Sequence, residues 1–376
     1  MKRFLSLLLV AVMAVSLCAC GNNASPGAPT GNDPSAPTPA APGNSGGNTA
    51  NDNSKKVALI CNTGGLGDKS FNDSGYAGLV KAQEELGIEY TVVEPEDVSQ
   101  GETYLRQFAD AGYGAVITLE YSHADYLLNL PAEYPDTVFV ATDQEVPNDK
   151  VLSIIFDYHQ SSYLAGYAAA LIASGDYPII EGRATHGAHT IGVICALESD
   201  GFHNFTEGFT QGAVAADPNV KVLYDWSVGF TDTQLSKQVA QNMIENESAD
   251  VVFQVCGTAG LGIIQGCYED NVYAIGVDSD QDYIQPGFVL TSVIKGVDVA
   301  VYEVCKRLSE GTLGGGVLAL PLDNGTGITD MSTIAEYVTD QALFEDFKAK
   351  INAQREAIVK GDIVVVHGAL GERFER

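Results

Sequence analysis

Positive charge is scarce in this 376-residue chain, where 20 Lys and Arg stand against 49 Asp and Glu and the formal net charge is −29. Phosphate backbones and anionic headgroups repel such a surface, which argues against nucleic acid as a partner and against docking on a membrane by charge. Metal-type cysteine spacing is also missing. The seven cysteines form no Cys-x-x-Cys and no Cys/His pattern, so neither zinc nor any other metal is expected. Beyond residue 20 the cysteines are Cys61, Cys195, Cys256, Cys267 and Cys305, an odd number, and no disulfide is assigned. Three of them end apolar runs, where Cys serves as a small buried hydrophobe. There is no Gly-x-Ser-x-Gly elbow, and the six histidines are scattered, so none is given a role. Paired acids for glycoside hydrolysis stay open, because their separation is a matter of space rather than of sequence. The absence of a catalytic motif favours binding over catalysis.

Two glycine-rich strings fail as nucleotide motifs. In Gly64-Gly65-Leu66-Gly67-Asp68-Lys69-Ser70, Asp68 stands where a phosphate-binding loop needs Gly before Lys. Gly257-Thr258-Ala259-Gly260-Leu261-Gly262 has its glycines in the wrong order for a dinucleotide fingerprint. No cofactor is therefore expected.

The N-terminus carries Lys2 and Arg3, an apolar run over 4–15, and then Leu17-Cys18-Ala19-Cys20-Gly21. That run is too short for a comfortable membrane span and fits a secretory signal over 1–19. Its ending resembles a bacterial lipobox, in which cleavage leaves a lipidated Cys20 as the new N-terminus. After Cys20, residues 21–54 are Gly, Pro, Ala, Ser, Asn and Thr apart from Asp33 and Asp52, with no aromatic residue, which predicts a disordered tether over 20–54 with a reach of roughly 30 Å. The chain is thus expected to be exported and held on the outer face of the cell membrane by the lipid on Cys20.

Downstream, apolar β-rich runs at 57–61, 88–93, 115–119, 138–142, 151–156, 190–195, 221–228, 251–256, 273–277 and 289–294 alternate with helical patterns. Such alternation predicts an α/β protein of βαβ units with parallel sheets. Two copies of the pattern, in about 320 residues, predict two similarly wound lobes. The expected boundaries are 55–160 with a return segment at about 285–315 for the first lobe, and 161–284 with about 316–376 for the second.

Ligands of open α/β sheets bind outside the carboxyl ends of the strands, which directs attention to the residues there. The loop 64–73 follows the first strand and opens a helix that Ser70, Asn72 or Asp73 could cap. Phe71 reads either as the wall of a pocket for a flat ligand or as the first core residue of that helix. Tyr121, Asp143, Gly257, Asp278 and Lys295 follow or end other strands. The two Asp read as ligand groups or as caps, Gly257 as a sharp turn, and Lys295 as a site residue or a solvated one. Phe205 and Phe209, four apart on a helix, read as core.

DKSFND at 68–73, SYLAGYAAALIA at 162–173, GVDSDQ at 276–281 and TSVIKGVDVAVY at 291–302, with the lipobox, together resemble the basic membrane protein family. These are substrate-binding lipoproteins of ABC transporters, many of which bind purine nucleosides. The resemblance implies a type I periplasmic-binding-protein fold, with two doubly wound parallel-sheet lobes joined by a hinge and a nucleoside in the cleft between them. It implies an ABC permease as partner and no enzymatic activity. By the same resemblance Phe71 is the ring that stacks on the base, Asn72 its polar neighbour, Asp143 the acid on the base edge and Phe205 the second stacking ring. Gly257 falls in the glycine-rich turn, Asp278 holds the ribose hydroxyls, and Lys295 belongs to the same site. Asp73 is a further candidate. The chain departs from the family pattern after residue 194, which leaves Phe202 an alternative to Phe205, and after residue 119, where Tyr121 adds to the pocket or alters it. A sensor of the same fold without transport, and an exported nucleoside hydrolase, are the competing functions.

Overall fold

The computed structural model describes residues 53–376; the expected signal, Cys20 and nearly all of the expected tether lie outside the described residues. Twelve strands follow: β1 (Lys56–Ile60), β2 (Glu89–Val93), β3 (Ala115–Thr118), β4 (Val138–Thr142), β5 (Leu152–Phe156), β6 (Thr190–Cys195), β7 (Lys221–Asp225), β8 (Val251–Val255), β9 (Tyr273–Asp278), β10 (Val289–Lys295), β11 (Gly316–Leu320) and β12 (Thr326–Ile328). Between them run α1 (Phe71–Leu86), α2 (Gly101–Asp110), the short α3 (Ala124–Leu127) and α4 (Leu130–Glu133), α5 (Tyr158–Ala173), α6 (Asp200–Ala216), α7 (Thr233–Glu245), α8 (Gly260–Glu269), α9 (Val297–Glu310), α10 (Ser332–Ala335) and α11 (Gln341–Lys360).

The strands form two six-stranded sheets, ordered β11-β5-β4-β3-β1-β2 and β12-β10-β9-β8-β6-β7. Every pairing is parallel except β10 with β12. β3, β6, β8 and β9 are buried along their whole length. Strands covered on both faces read as continuous apolar runs, which is why they stood out in the sequence. In both sheets the direction of winding reverses beside the first strand, at β1/β3 and at β6/β8, the position where open α/β sheets receive ligands.

The chain passes between the sheets three times: from β5 to α5 at Asp157, from β10 to α9 at Gly296, and from β11 to β12 over 321–325. This corrects the expected return segment. β10 stays in the second sheet, in register with β9 (Ser292 opposite Gly276), so the return starts only at α9. β11 then pairs with β5 in the first sheet, so 316–320 belongs with the first lobe. The first lobe's return is therefore 297–320, and the first crossing falls at residue 157. The apolar runs of both lobes are alike, so partner choice was not readable from them.

Helix contacts seal each lobe. In the first, α9 lies on α1, and the Asp298 backbone N–H donates to Ser74 Oγ at 3.1 Å. In the second, α5 lies against α6, where a Cβ on Gly166 would run into the Phe209 carbonyl and one on Gly212 into that of Tyr163. The many small residues of α5 are what allow its backbone to come this close, and nearly all of the helix is buried.

Candidate functional site

The loop between β1 and α1 is shaped by its own carboxylates. Asp68 accepts from the backbone N–H groups of Ser70 (2.9 Å), Asn72 (2.9 Å) and Asp73 (3.1 Å) and from Asn72 Nδ2 (3.0 Å). The helix N-terminus is thus filled by a buried acid of the chain rather than left open for a ligand group. Ser70, Asn72 and Asp73 do not cap it. Asp73 reaches back to the N–H groups of Gly67 (2.7 Å) and Lys69 (3.0 Å), and Asn72 pairs with Asn62 on both sides of its amide. Neither Asn72 nor Asp73, both expected to contact ligand, lines the cavity described next. They hold the loop from which Phe71 lines that cavity.

A cavity of about 390 Å³ opens between the carboxyl ends of the two sheets. Phe71, Tyr121, Asp143, Phe202, Phe205, Gly257, Asp278 and Lys295 all line it, as do Tyr158 and Phe230. Lys295, at the end of β10 and 4 % exposed, is its centre. Its Nζ donates to Asp143 Oδ2 at 2.6 Å and lies 3.9 Å from Asp278 Oδ1. The same ammonium sits over the rings of Tyr158 (4.1 Å), Phe205 (4.8 Å) and Phe71 (5.0 Å), where ring faces attract a desolvated cation. Both acids occupy left-handed backbone, Asp143 at φ +63° and Asp278 at φ +66°. Asp tolerates that region better than most residues.

Burial acts on both acids in the same direction. Burial pushes the Asp278 carboxyl up from 3.8 to about 6, against the opposing pull of Lys295 and a hydrogen bond from Ser70. Asp143 is also raised by burial, with Lys295 working the other way. One lysine facing two carboxylates leaves no surplus positive charge. The cavity disfavours an anionic ligand and offers acceptors to N–H and O–H groups.

Contacts across the cleft tie the lobes together. Ser70 Oγ donates to Asp278 Oδ2 at 2.5 Å, and the Lys69 carbonyl accepts from Ser279 Oγ (2.8 Å) and Gln281 Nε2 (2.9 Å). Gln281 is buried and also takes Gln254 Nε2 (2.6 Å) and the Val277 N–H (3.0 Å) on its carbonyl, so the ends of β8 and β9 and the Lys69 turn share one amide. Gly257 takes φ +53°, and the turn it makes lets the Ala259 N–H reach the Phe230 carbonyl at 2.8 Å.

The aromatic walls are unequal. Phe205 is 3 % exposed, packed on Tyr158 with ring centroids 4.1 Å apart and edge-on to Phe253. Phe71 and Phe202 are half-buried, and Phe202 faces Phe230 at 6.1 Å. Phe202 and Phe71 therefore have ring area left for a ligand, whereas Phe205 chiefly backs Lys295 and Tyr158. Tyr121 is 64 % exposed at the rim. Tyr158 and Phe230 escaped the sequence reading. Tyr158 opens the apolar α5 and looks like core, and its only signal is that it follows Asp157 at the end of a strand.

A family model described as "ABC transporter substrate-binding protein PnrA-like" matches residues 55–366. The ABC transporter nucleoside-binding protein BmpA of Lactococcus lactis is 29 % identical over 293 residues, covering 72 % of this chain and 80 % of the relative. An uncharacterized lipoprotein of Pyrococcus abyssi is 27 % identical over 327 residues, 81 % of this chain and 78 % of its own. Among solved structures, an ABC transporter solute-binding protein from Aeropyrum pernix superimposes with a TM-score of 0.73 at 23 % identity, over 82 % of this chain and 92 % of that one. On the strength of the match over 55–366, this chain belongs to the PnrA-like (Bmp) family of ABC transporter substrate-binding proteins.

Proposed function

We propose that the cleft captures a neutral purine nucleoside outside the cytoplasm and presents it to an ABC permease, the protein being held at the membrane by lipid on Cys20. The observation that carries the ligand class is the arrangement of Asp143, Asp278 and Lys295 in one cavity with the half-buried rings of Phe71 and Phe202. A base stacks on rings, its N–H edge needs an acceptor, and a vicinal diol needs a carboxylate. The absence of surplus positive charge disfavours phosphorylated forms. The Lactococcus relative is a nucleoside-binding protein, which supports nucleosides as the ligand class. Of the site residues, Phe71, Phe202, Asp143, Asp278 and Lys295 would touch ligand, with Gly257 and Tyr121 at the margin and Phe205 behind. Because groups from both lobes would meet the ligand, binding would favour the closed arrangement that the permease recognises.

Thermal unfolding of protein freed of co-purified ligand by denaturation and refolding tests this, with nucleosides, nucleotides, bases, sugars and amino acids as additives. A ligand at a hundred times its dissociation constant stabilises by about 2.7 kcal/mol. Purine nucleosides are expected to raise the midpoint and to be recovered unchanged. A rise with sugars or amino acids alone would overturn the ligand assignment, and turnover of the nucleoside would make the protein a hydrolase.

A further inference from the structure

We propose that Asp157, His159 and His367 form a binding site for one divalent transition-metal ion of the Zn2+ type at the first crossing between the lobes. One carboxylate oxygen and one nitrogen from each imidazole lie within 4.8 Å of one another, the one such grouping of three or more metal-type side chains among the described residues. Tetrahedral bonds of about 2.0–2.1 Å set ligand–ligand separations of about 3.3 Å, so small side-chain rotations close the remaining gap. Two imidazoles and a carboxylate suit zinc and its neighbours rather than magnesium or calcium. Water would complete the fourth position.

Sequence spacing hides the site, because 208 positions separate His159 from His367 (367 − 159) and no local pattern joins them. Structure brings them together by fastening the tail after α11 onto α6. The Val366 N–H donates to Gln211 Oε1 at 2.8 Å, Gln211 Nε2 donates to the Val364 carbonyl at 3.0 Å, and Arg373 Nη2 meets Asp200 Oδ1 at 2.9 Å. Gly368 packs so tightly on the His203 backbone that no side chain fits there. His367 is held by this framework with its ring centroid 4.3 Å from that of His159.

A second observation points to a ligand. His159 is 5 % exposed, and its Nδ1 is buried with no hydrogen-bond partner; Nδ1 of His367 is likewise buried and unpaired. Buried polar atoms are seldom left unsatisfied without cause. Asp157 is itself part of the crossing, its N–H donating to the Leu320 carbonyl at 3.0 Å. A bound ion would fasten the C-terminal tail to that crossing.

The test is calorimetric titration of the full chain, stripped with chelator, using Zn2+ alone, with Mg2+ and Ca2+ as controls. One equivalent is expected to bind at micromolar or tighter dissociation constant, with His367→Ala and Asp157→Asn each weakening it at least tenfold. Co2+ in place of Zn2+ is expected to give the visible absorption of a four-coordinate ion, and His367→Ala to abolish it. His203→Ala provides the counter-test, since His203 lies 3.4 Å from Glu198 and 3.6 Å from Glu207. Loss of binding in that variant instead, equal binding of Mg2+, or affinity unaltered by His367→Ala would each overturn the proposal. Because His367 is only half-buried and sits in the tail, its variant retains the core, and its circular dichroism spectrum is expected to match wild type.

Discussion

Asp143 and Asp278 occupy equivalent places in the two lobes. Each sits at the carboxyl end of the third strand in from the same edge of its sheet, β4 in one and β9 in the other, each in left-handed backbone, and both turn towards the single ammonium of Lys295. The match follows from two sheets with the same strand order facing each other end to end. Lys295, at the end of β10, has no such counterpart, since the equivalent strand β5 ends in Phe156. Two acids and one base meet because one lobe supplies the acid and base and the other only the acid.

Lys295→Met should therefore cost more than a surface charge would. Removing the cation leaves two carboxylates at the centre of the cleft, and breaking a buried pair on one side typically costs about 3–5 kcal/mol. Equilibrium urea unfolding at pH 7 would read this as a lower midpoint. A change below about 1 kcal/mol would mean that water, not Lys295, balances the acids.

Asp278→Asn is expected to go the other way. Burial raises the carboxyl from 3.8 to about 6, so the folded chain holds a proton that the unfolded chain has released between those values. Stability from this group falls as pH rises through that window, and the full penalty is present above pH 6. Asn accepts φ +66° and carries no charge, so at pH 7 the variant should be more stable by on the order of 1–2 kcal/mol, after loss of the Ser70 bond. At pH 4 the gain should be gone, leaving the variant level with wild type or slightly less stable through the weakened Ser70 contact. Unfolding curves at both pH values, compared between variant and wild type, decide it, and a gain that does not depend on pH would contradict the assigned cause.

Much of this site could be read from strand ends. Asp143, Asp278 and Lys295 each close an apolar run, so the α/β winding alone sends them to one edge. Asp68 could not be given its role, because Ser70, Asn72 and Asp73 are equally good caps by type and only the turn at Gly64, Gly65 and Gly67 decides which carboxylate reaches the N–H groups. β11 and β12 were silent for a different reason. β11 is apolar but alternates half-buried with exposed residues as an edge strand and runs straight out of the glycine-rich stretch 311–316, which reads as loop, and β12 has only three residues. His159 and His367 meet through tail packing, which no periodicity encodes.

Helix crossing supplies a prediction away from the cleft. A methyl on Gly166 would press into the Phe209 carbonyl, a backbone atom that cannot swing aside. Gly166→Ala should cost about 1–3 kcal/mol and, because α6 carries Phe202, weaken ligand binding as well. Gly266→Ala is the internal comparison: its new methyl would find nothing nearer than 3.4 Å, so the helical preference of Ala should make it neutral or stabilising by up to about 1 kcal/mol. Urea unfolding of the two variants separates the effects, and equal losses would show that the α5/α6 approach is not what makes Gly166 necessary.

Ligand affinity should depend on pH through Asp278. If hydroxyls of the ligand donate to this carboxylate, the ionised form is the one that binds, and the bound state lowers its pKa below the free value of about 6. Affinity is then flat above pH 7 and falls on acidification, approaching tenfold per unit below pH 6 until the bound-state value is reached. Calorimetric titration of a purine nucleoside between pH 5 and pH 8 would show the slope, and in Asp278→Asn the remaining weak affinity should lose it. A slope that survives in Asp278→Asn would move the proton uptake to another group. A flat profile in the wild type would mean that the ligand's hydroxyls are held elsewhere and that Asp278 serves only to lock Ser70 across the cleft.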